Sequence, residues 1–180
     1  MIIAQEKKEQ NIVEYILYMW QIEDIIRASK LNLELINEHI IQKYDQPQSV
    51  KEDILSWYEN HIGMLENEQK QDKGHLIYIE NIVNDLNELH LKLLQSKTEK
   101  EYQDLYKKAL PVISELKTKS GGEQMSELEV SLNGVYGFLM LRISGQSITK
   151  ETSDAVKDIS NMLAYLAARH KKIDQGMEEI

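Results

Sequence analysis

Pro47 and Pro111 are the only two prolines in 180 residues, and around them the chain reads as helix almost throughout. Proline interrupts a helix because it lacks an N–H and its ring meets the carbonyl four residues back. Strand signals are nearly absent, since no stretch alternates cleanly between apolar and polar residues. Helix-start signals are frequent. Ser49-Val-Lys-Glu52, Thr98-Glu-Lys-Glu101 and Ser126-Glu-Leu-Glu129 each have the spacing of a capping box. Asn32 and Thr149 stand where simple N-caps belong. The pattern predicts seven helical segments, over residues 6–29, 33–44, 50–70, 76–95, 99–119, 127–144 and 150–172. Pro111 predicts a kink or break in the fifth, and Ser120-Gly121-Gly122 its end. Short links between long helices imply an all-α, antiparallel multi-helix bundle. No repeat or low-complexity linker marks a boundary, so residues 1–180 read as one domain, with a frayed tail from about residue 174.

Composition narrows the function classes. With 42% apolar and 28% charged residues, the chain matches neither a disordered tail nor a membrane protein. The longest apolar run, residues 135–141, is far too short for a membrane span. Cysteine is absent, which removes disulfides, thiolate nucleophiles and Cys-ligated zinc and fits a reducing compartment. The first ten residues carry acids early and no apolar core, unlike a secretory signal. The expected location is the cytoplasm. The net charge of −9 falls entirely in residues 1–90, which hold 17 acidic and 8 basic residues, while residues 91–180 balance 13 against 13. An acidic half repels phosphate backbones, so no nucleic-acid partner is expected.

The basic residues are unevenly chosen. Only Arg27, Arg142 and Arg169 among the 21 are arginines, and all three lie in strongly apolar helical stretches. Guanidinium is planar, permanently charged and weakly hydrated, which suits half-buried ion pairs. In the first segment, a 100° advance per residue brings Ile12, Ile16 and Trp20 to the side that carries Glu23 and Arg27, with Asp24 close by. Glu23 and Arg27 are spaced i,i+4 with the acid first, the favourable order. Two readings follow. One is a half-buried structural ion pair covered by Trp20. The other is a polar pocket between the first and sixth segments, in which Glu23, Asp24, Arg27, Arg142 and Trp20 form a ligand-binding site. In either case Arg142 is expected to meet an acidic or carbonyl partner. The first and sixth segments are apolar almost all round, as central helices are. Gly134 and Gly137 in the sixth suggest a close helix approach.

Motifs for chemistry are missing. Di-iron bundles need Glu-x-x-His, and the nearest match, Asp72-Lys-Gly-His75, straddles a loop. The five histidines lie on or beside four different helices, so neither a metal nor another cofactor is expected. Phosphate loops and a nucleophile elbow are absent. No catalytic residue is assigned, and the reading leans away from an enzyme. Tyrosine pairs such as Tyr15/Tyr18 and Tyr102/Tyr106 share helix faces, as rings at a core edge do.

Four segments carry a resemblance: Met1-Ile-Ile-Ala-Gln-Glu-Lys7, Tyr15 to Arg27, Tyr44-Asp-Gln-Pro47 and Lys73-Gly-His-Leu76. With them the chain resembles an uncharacterised family of roughly 180-residue proteins from Bacteroidetes, one of the domain-of-unknown-function families. The resemblance implies a bacterial intracellular protein and no particular activity. The combined expectation is a helical binding or interaction protein with an unknown protein or small-molecule partner and no membrane. A homodimer is compatible with it. The alternative is a small-molecule-binding protein or enzyme built around Glu23, Asp24, Arg27 and Arg142.

Overall fold

The computed structural model describes residues 2–121 and 124–177. These residues are all-α. Helices α1 (Ile2–Gln10), α2 (Ile12–Ala28) and α3 (Leu33–His39) lead through a 3-10 turn at Ile41–Lys43 to α4 (Gln48–Asn67) and α5 (Ile77–Gln95). Helices α6 (Lys100–Ser120), α7 (Glu127–Ile143) and α8 (Lys150–Asp174) follow. No helix among the described residues is long and apolar enough to cross a membrane. Gly122 and the end of the tail, 178–180, lie outside the described residues.

Among the described residues eight helices replace the seven expected, because the first segment is two. The Asn11 side chain accepts the Val13 N–H at 3.1 Å and starts α2 afresh. Asparagine competes with the helix in this way by offering the backbone a local partner. Asn32, Ser126 and Thr149 cap α3, α7 and α8 as their spacing suggests, and Ser126 with Glu129 completes the reciprocal box. Two other boxes stay open. Helix α4 starts one residue before Ser49, with Pro47 as its N-cap, and the Thr98 hydroxyl pairs with Ser96 while Glu99 takes the N-cap position of α6. Pro111 does not break α6. Pro111 and Lys107 are both exposed, so the lost bond and the freed carbonyl face solvent, where water serves them.

The chain forms two compact units, residues 1–9 with 14–82 and residues 10–13 with 83–180. The core of the first is built from Ile16, Met19 and Ile26 of α2, Ile36, Ile41, and Tyr58 and Leu65 of α4, all fully buried. In the second, α6, α7 and α8 pack on one another around Tyr102, Ala109, Leu132, Ile159, Met162 and Leu166. Ile159, Met162, Leu163 and Leu166 line the buried face of α8, opposite exposed Lys157 and Asn161. Gly134 is the site of a close approach: a Cβ there would stand 2.7 Å from Leu116 Cδ1 of α6. Gly137 has open space instead. The sixth expected segment is central only in its first half. Leu128 to Leu132 of α7 are mostly buried, whereas Leu141 is 38% and Ile143 60% exposed.

Candidate functional site

Helix α2 turns Glu23 into the core of the first unit. Its carboxylate is fully buried. Oε1 accepts the Leu76 N–H at 2.9 Å and Oε2 lies 2.6 Å from His75 Nδ1. Leu76 is the last residue before α5, and its carbonyl accepts from Ile79 and Glu80. Glu23 therefore serves a backbone donor at a helix N-terminus, where the helix dipole also favours an anion. Glu68 does the same one residue on, accepting the Ile77 N–H at 2.7 Å.

Arg27 closes the same loop from the other side. Its Nε and Nη2 donate to the Lys70 carbonyl at 3.3 and 3.1 Å, and Nη2 also donates to the Gly74 carbonyl. Nη1 reaches Asp24 at 3.2 Å and Glu23 only at 4.0 Å. Gly74 holds a φ of +82°, a conformation glycine adopts without strain. His75 stacks on Trp20, with ring centroids 4.3 Å apart and planes 12° from parallel. The cluster thus binds residues 70–76 to α2. Sequence reasoning placed Trp20, Glu23, Asp24 and Arg27 together and expected Glu23 to be the main partner of Arg27. The guanidinium spends its shorter bonds on two carbonyls and Asp24 instead.

Arg142 needs a correction. It belongs to the second unit and is exposed, with its guanidinium 5.9 Å from the Phe138 ring. No acidic or carbonyl partner for it stands among the described residues. At the exposed end of α7 the charge stays hydrated. Arg169 does make a shielded ion pair. Its Nη2 lies 2.7 Å from Glu99 Oε1, and Tyr165 donates to Glu99 Oε2 at 3.0 Å.

Histidine and phenol side chains form internal hydrogen bonds in both units that single-sequence reasoning could not pair. In the first unit, His61 Nδ1 donates to the Trp57 carbonyl at 2.7 Å. Its Nε2 must then accept from the Tyr78 hydroxyl, 3.2 Å away. Tyr78 in turn bonds Tyr15. In the second unit, His90 Nδ1 meets the Tyr102 hydroxyl, and Tyr106 donates to Glu127 at 2.7 Å. Tyr15 and Tyr102 are themselves buried, so these hydroxyls are bonded internally. Among the described residues no group of three or more acidic or histidine side chains has the geometry to hold a metal ion.

These histidines set a pH dependence. Desolvation lowers the pKa of His61, His90 and His170. A depressed folded-state pKa means that the unfolded chain takes up protons first, so stability is present above about pH 6.5 and is lost as the pH falls below it. Melting temperature should be level from about pH 8 to 7 and fall between about pH 6.5 and 5.5, above the usual carboxylate range. His90→Gln should flatten part of that fall. A melting temperature that rises on acidification through this window would contradict the assignment.

The first unit also holds a cavity of about 640 Å³. Ile3, Gln5 and Glu6 of α1 form one wall, Tyr44, Asp45 and Gln46 a second, and Val50, Asp53 and Ile54 of α4 the third. Tyr44 also neighbours Tyr18 and Tyr58. Burial, with Tyr44 beside it, pushes the Tyr18 phenol up to about 12 and the Tyr58 phenol higher still. A smaller cavity of about 300 Å³ in the second unit is lined by Asp85, Glu88, Lys92 and His170 among others. None of these lining residues was selected from the sequence. The available signal lay in the segments that carried the resemblance, which meet in two places. Ile3, Gln5 and Glu6 of the first segment and Tyr44, Asp45 and Gln46 of the third line the large cavity, and residues from 15–27 and 73–76 form the Glu23 cluster.

The family model for a domain of unknown function, DUF4924, matches residues 1–177, and the chain belongs to that family. No curated protein and no solved structure matches the chain.

Proposed function

We propose that this DUF4924 domain is a non-catalytic binding protein, a single functional domain of the bacterial cytoplasm, whose ligand site is the 640 Å³ cavity of the first unit. The cavity carries the reading. Its volume lies within the roughly 300–1,000 Å³ of small-molecule pockets. Ile3, Tyr44, Val50 and Ile54 give it an apolar and aromatic wall, and five polar side chains complete the lining, so it offers both the burial and the orienting groups that such sites use. The resemblance to Bacteroidetes proteins and the lack of cysteine support the setting. The family match over residues 1–177 supports treating the chain as one domain.

The Glu23–Arg27 cluster is then support for the fold. Its anion is fully buried and served by the Leu76 N–H and His75, and its cation is taken up by two carbonyls and Asp24. A ligand anion would have to displace these partners from Arg27.

Filling the cavity tests the reading. A library of small organic compounds is screened by thermal shift against the wild type and Val50→Trp. A ligand present at about 100 times its Kd stabilises by about 2.7 kcal/mol. That raises the melting temperature of a chain of this size by roughly 5–10 °C. Compounds that act through the cavity should shift the wild type and leave Val50→Trp unmoved. Equal shifts in both proteins, or no shift from any compound, would overturn the proposal.

A further inference from the structure

Glu6, Asp45 and Asp53 line the large cavity, and no lysine, arginine or histidine is among its lining residues. None of the three carboxylates has an ion-pair partner among the described residues. They stand in the half of the sequence that carries the whole net charge of −9. A concave site lined by one sign of charge focuses the field and concentrates ions of the opposite sign. Carboxylate or phosphate ligands would meet three like charges and no donor cation.

The rest of the lining suits the body of such a ligand. Ile3, Val50 and Ile54 offer apolar walls, and Tyr44 adds an aromatic one. Aromatic rings attract organic cations that have shed their water. The polar groups that remain include Gln5 and Gln46, each with an amide oxygen that can accept. Gln5 already uses its amide nitrogen on Glu9 at 3.2 Å, which leaves its carbonyl oxygen for a cationic N–H. A bare metal ion fits poorly, because no three acidic or histidine groups among the described residues converge on one point.

We propose that the cavity binds a small organic cation, an ammonium head on an apolar body, with the head drawn by the negative field of Glu6, Asp45 and Asp53 and the body seated on Ile3, Val50, Ile54 and Tyr44. The proposal rests on the cavity being the ligand site. Its substrate class is an alkyl or aralkyl ammonium, and its specificity lies in the charge.

Three probes with the same six-carbon body separate the terms: hexyltrimethylammonium, 1-hexanol and hexanoate. Calorimetric titrations use the full chain as wild type, Val50→Trp, and the pair Asp45→Asn with Asp53→Asn. Both aspartates are exposed, so this double variant should fold normally. In the wild type the ammonium should bind roughly tenfold tighter than the alcohol, with the carboxylate weakest. The aspartate double variant should bring the ammonium down to the alcohol's affinity and leave the alcohol unchanged. Raising salt from about 20 to about 200 mM should weaken only the ammonium. Val50→Trp should weaken all three. If alcohol or carboxylate binds the wild type as tightly as the ammonium, the charge assignment is overturned and the cavity reading stands. If none of the three binds, the charge assignment is overturned as well, and the library screen against Val50→Trp then judges the cavity reading by itself.

Discussion

Glu23→Leu is expected to lower the unfolding free energy by about 3–5 kcal/mol, the cost of breaking a buried charge pair from one side. That is a large share of the roughly 5–15 kcal/mol of a typical domain. For a chain of this length it corresponds to a fall in melting temperature of roughly 6–20 °C. The leucine leaves the Leu76 N–H buried without an acceptor, removes the partner of His75, and withdraws an anion from the start of α5. Such orphaned donors cost the full desolvation penalty of the group. Adding Arg27→Met should recover little. An ordinary isolated pair is relieved when both charges go, but here the second substitution also deprives the Lys70 and Gly74 carbonyls of their donor. Denaturant unfolding of the two single variants and the double checks this. A double variant close to wild type would show that the two residues act only on each other.

Arg169→Met should behave in the opposite way. The guanidinium and Glu99 are only 16% and 11% exposed and lie 2.7 Å apart. Removing the cation should cost about 2–4 kcal/mol, below the fully buried case because some water reaches the pair. Glu99→Gln added to Arg169→Met should restore much of the loss. The neutral amide oxygen still accepts the Tyr165 hydroxyl, and no lone charge remains. The same unfolding measurements decide it. A double variant as unstable as Arg169→Met alone would contradict an ion pair as the main interaction. The contrast between the two clusters is the informative part. One arginine is held by a side chain and the other chiefly by the backbone of a loop.

Helix content was legible because apolar periodicity and capping residues are local properties. Ser126, Asn32 and Thr149 start helices as their spacing suggests. Asn11 was harder, since it lies inside an otherwise continuous pattern and acts through one side-chain bond. Pro111 misled because the harm done by a proline depends on where its missing bond faces. The arginine count pointed correctly to shielded cations at Arg27 and Arg169. It pointed wrongly at Arg142, because an apolar stretch of helix does not reveal which of its turns are covered.

Long-range pairs were out of reach. His75 meets Glu23 from 52 residues away, and Leu76 meets it from 53. No helical spacing encodes such a meeting, and a search for metal-ligand spacings passed His75 by. The cavity was hidden for the same reason. Glu6, Asp45 and Asp53 lie in three separate elements, and each alone is an ordinary exposed acid.

The most direct test of this division between a supporting cluster and a binding cavity is a nitrogen-edited NMR titration of the wild type with hexyltrimethylammonium. The expected result is a set of shifts concentrated at residues 3–6 and 44–54, with the Leu76 amide and the Arg27 Nε–H left in place. Largest shifts at Leu76 and Arg27, or no shift anywhere, would contradict it.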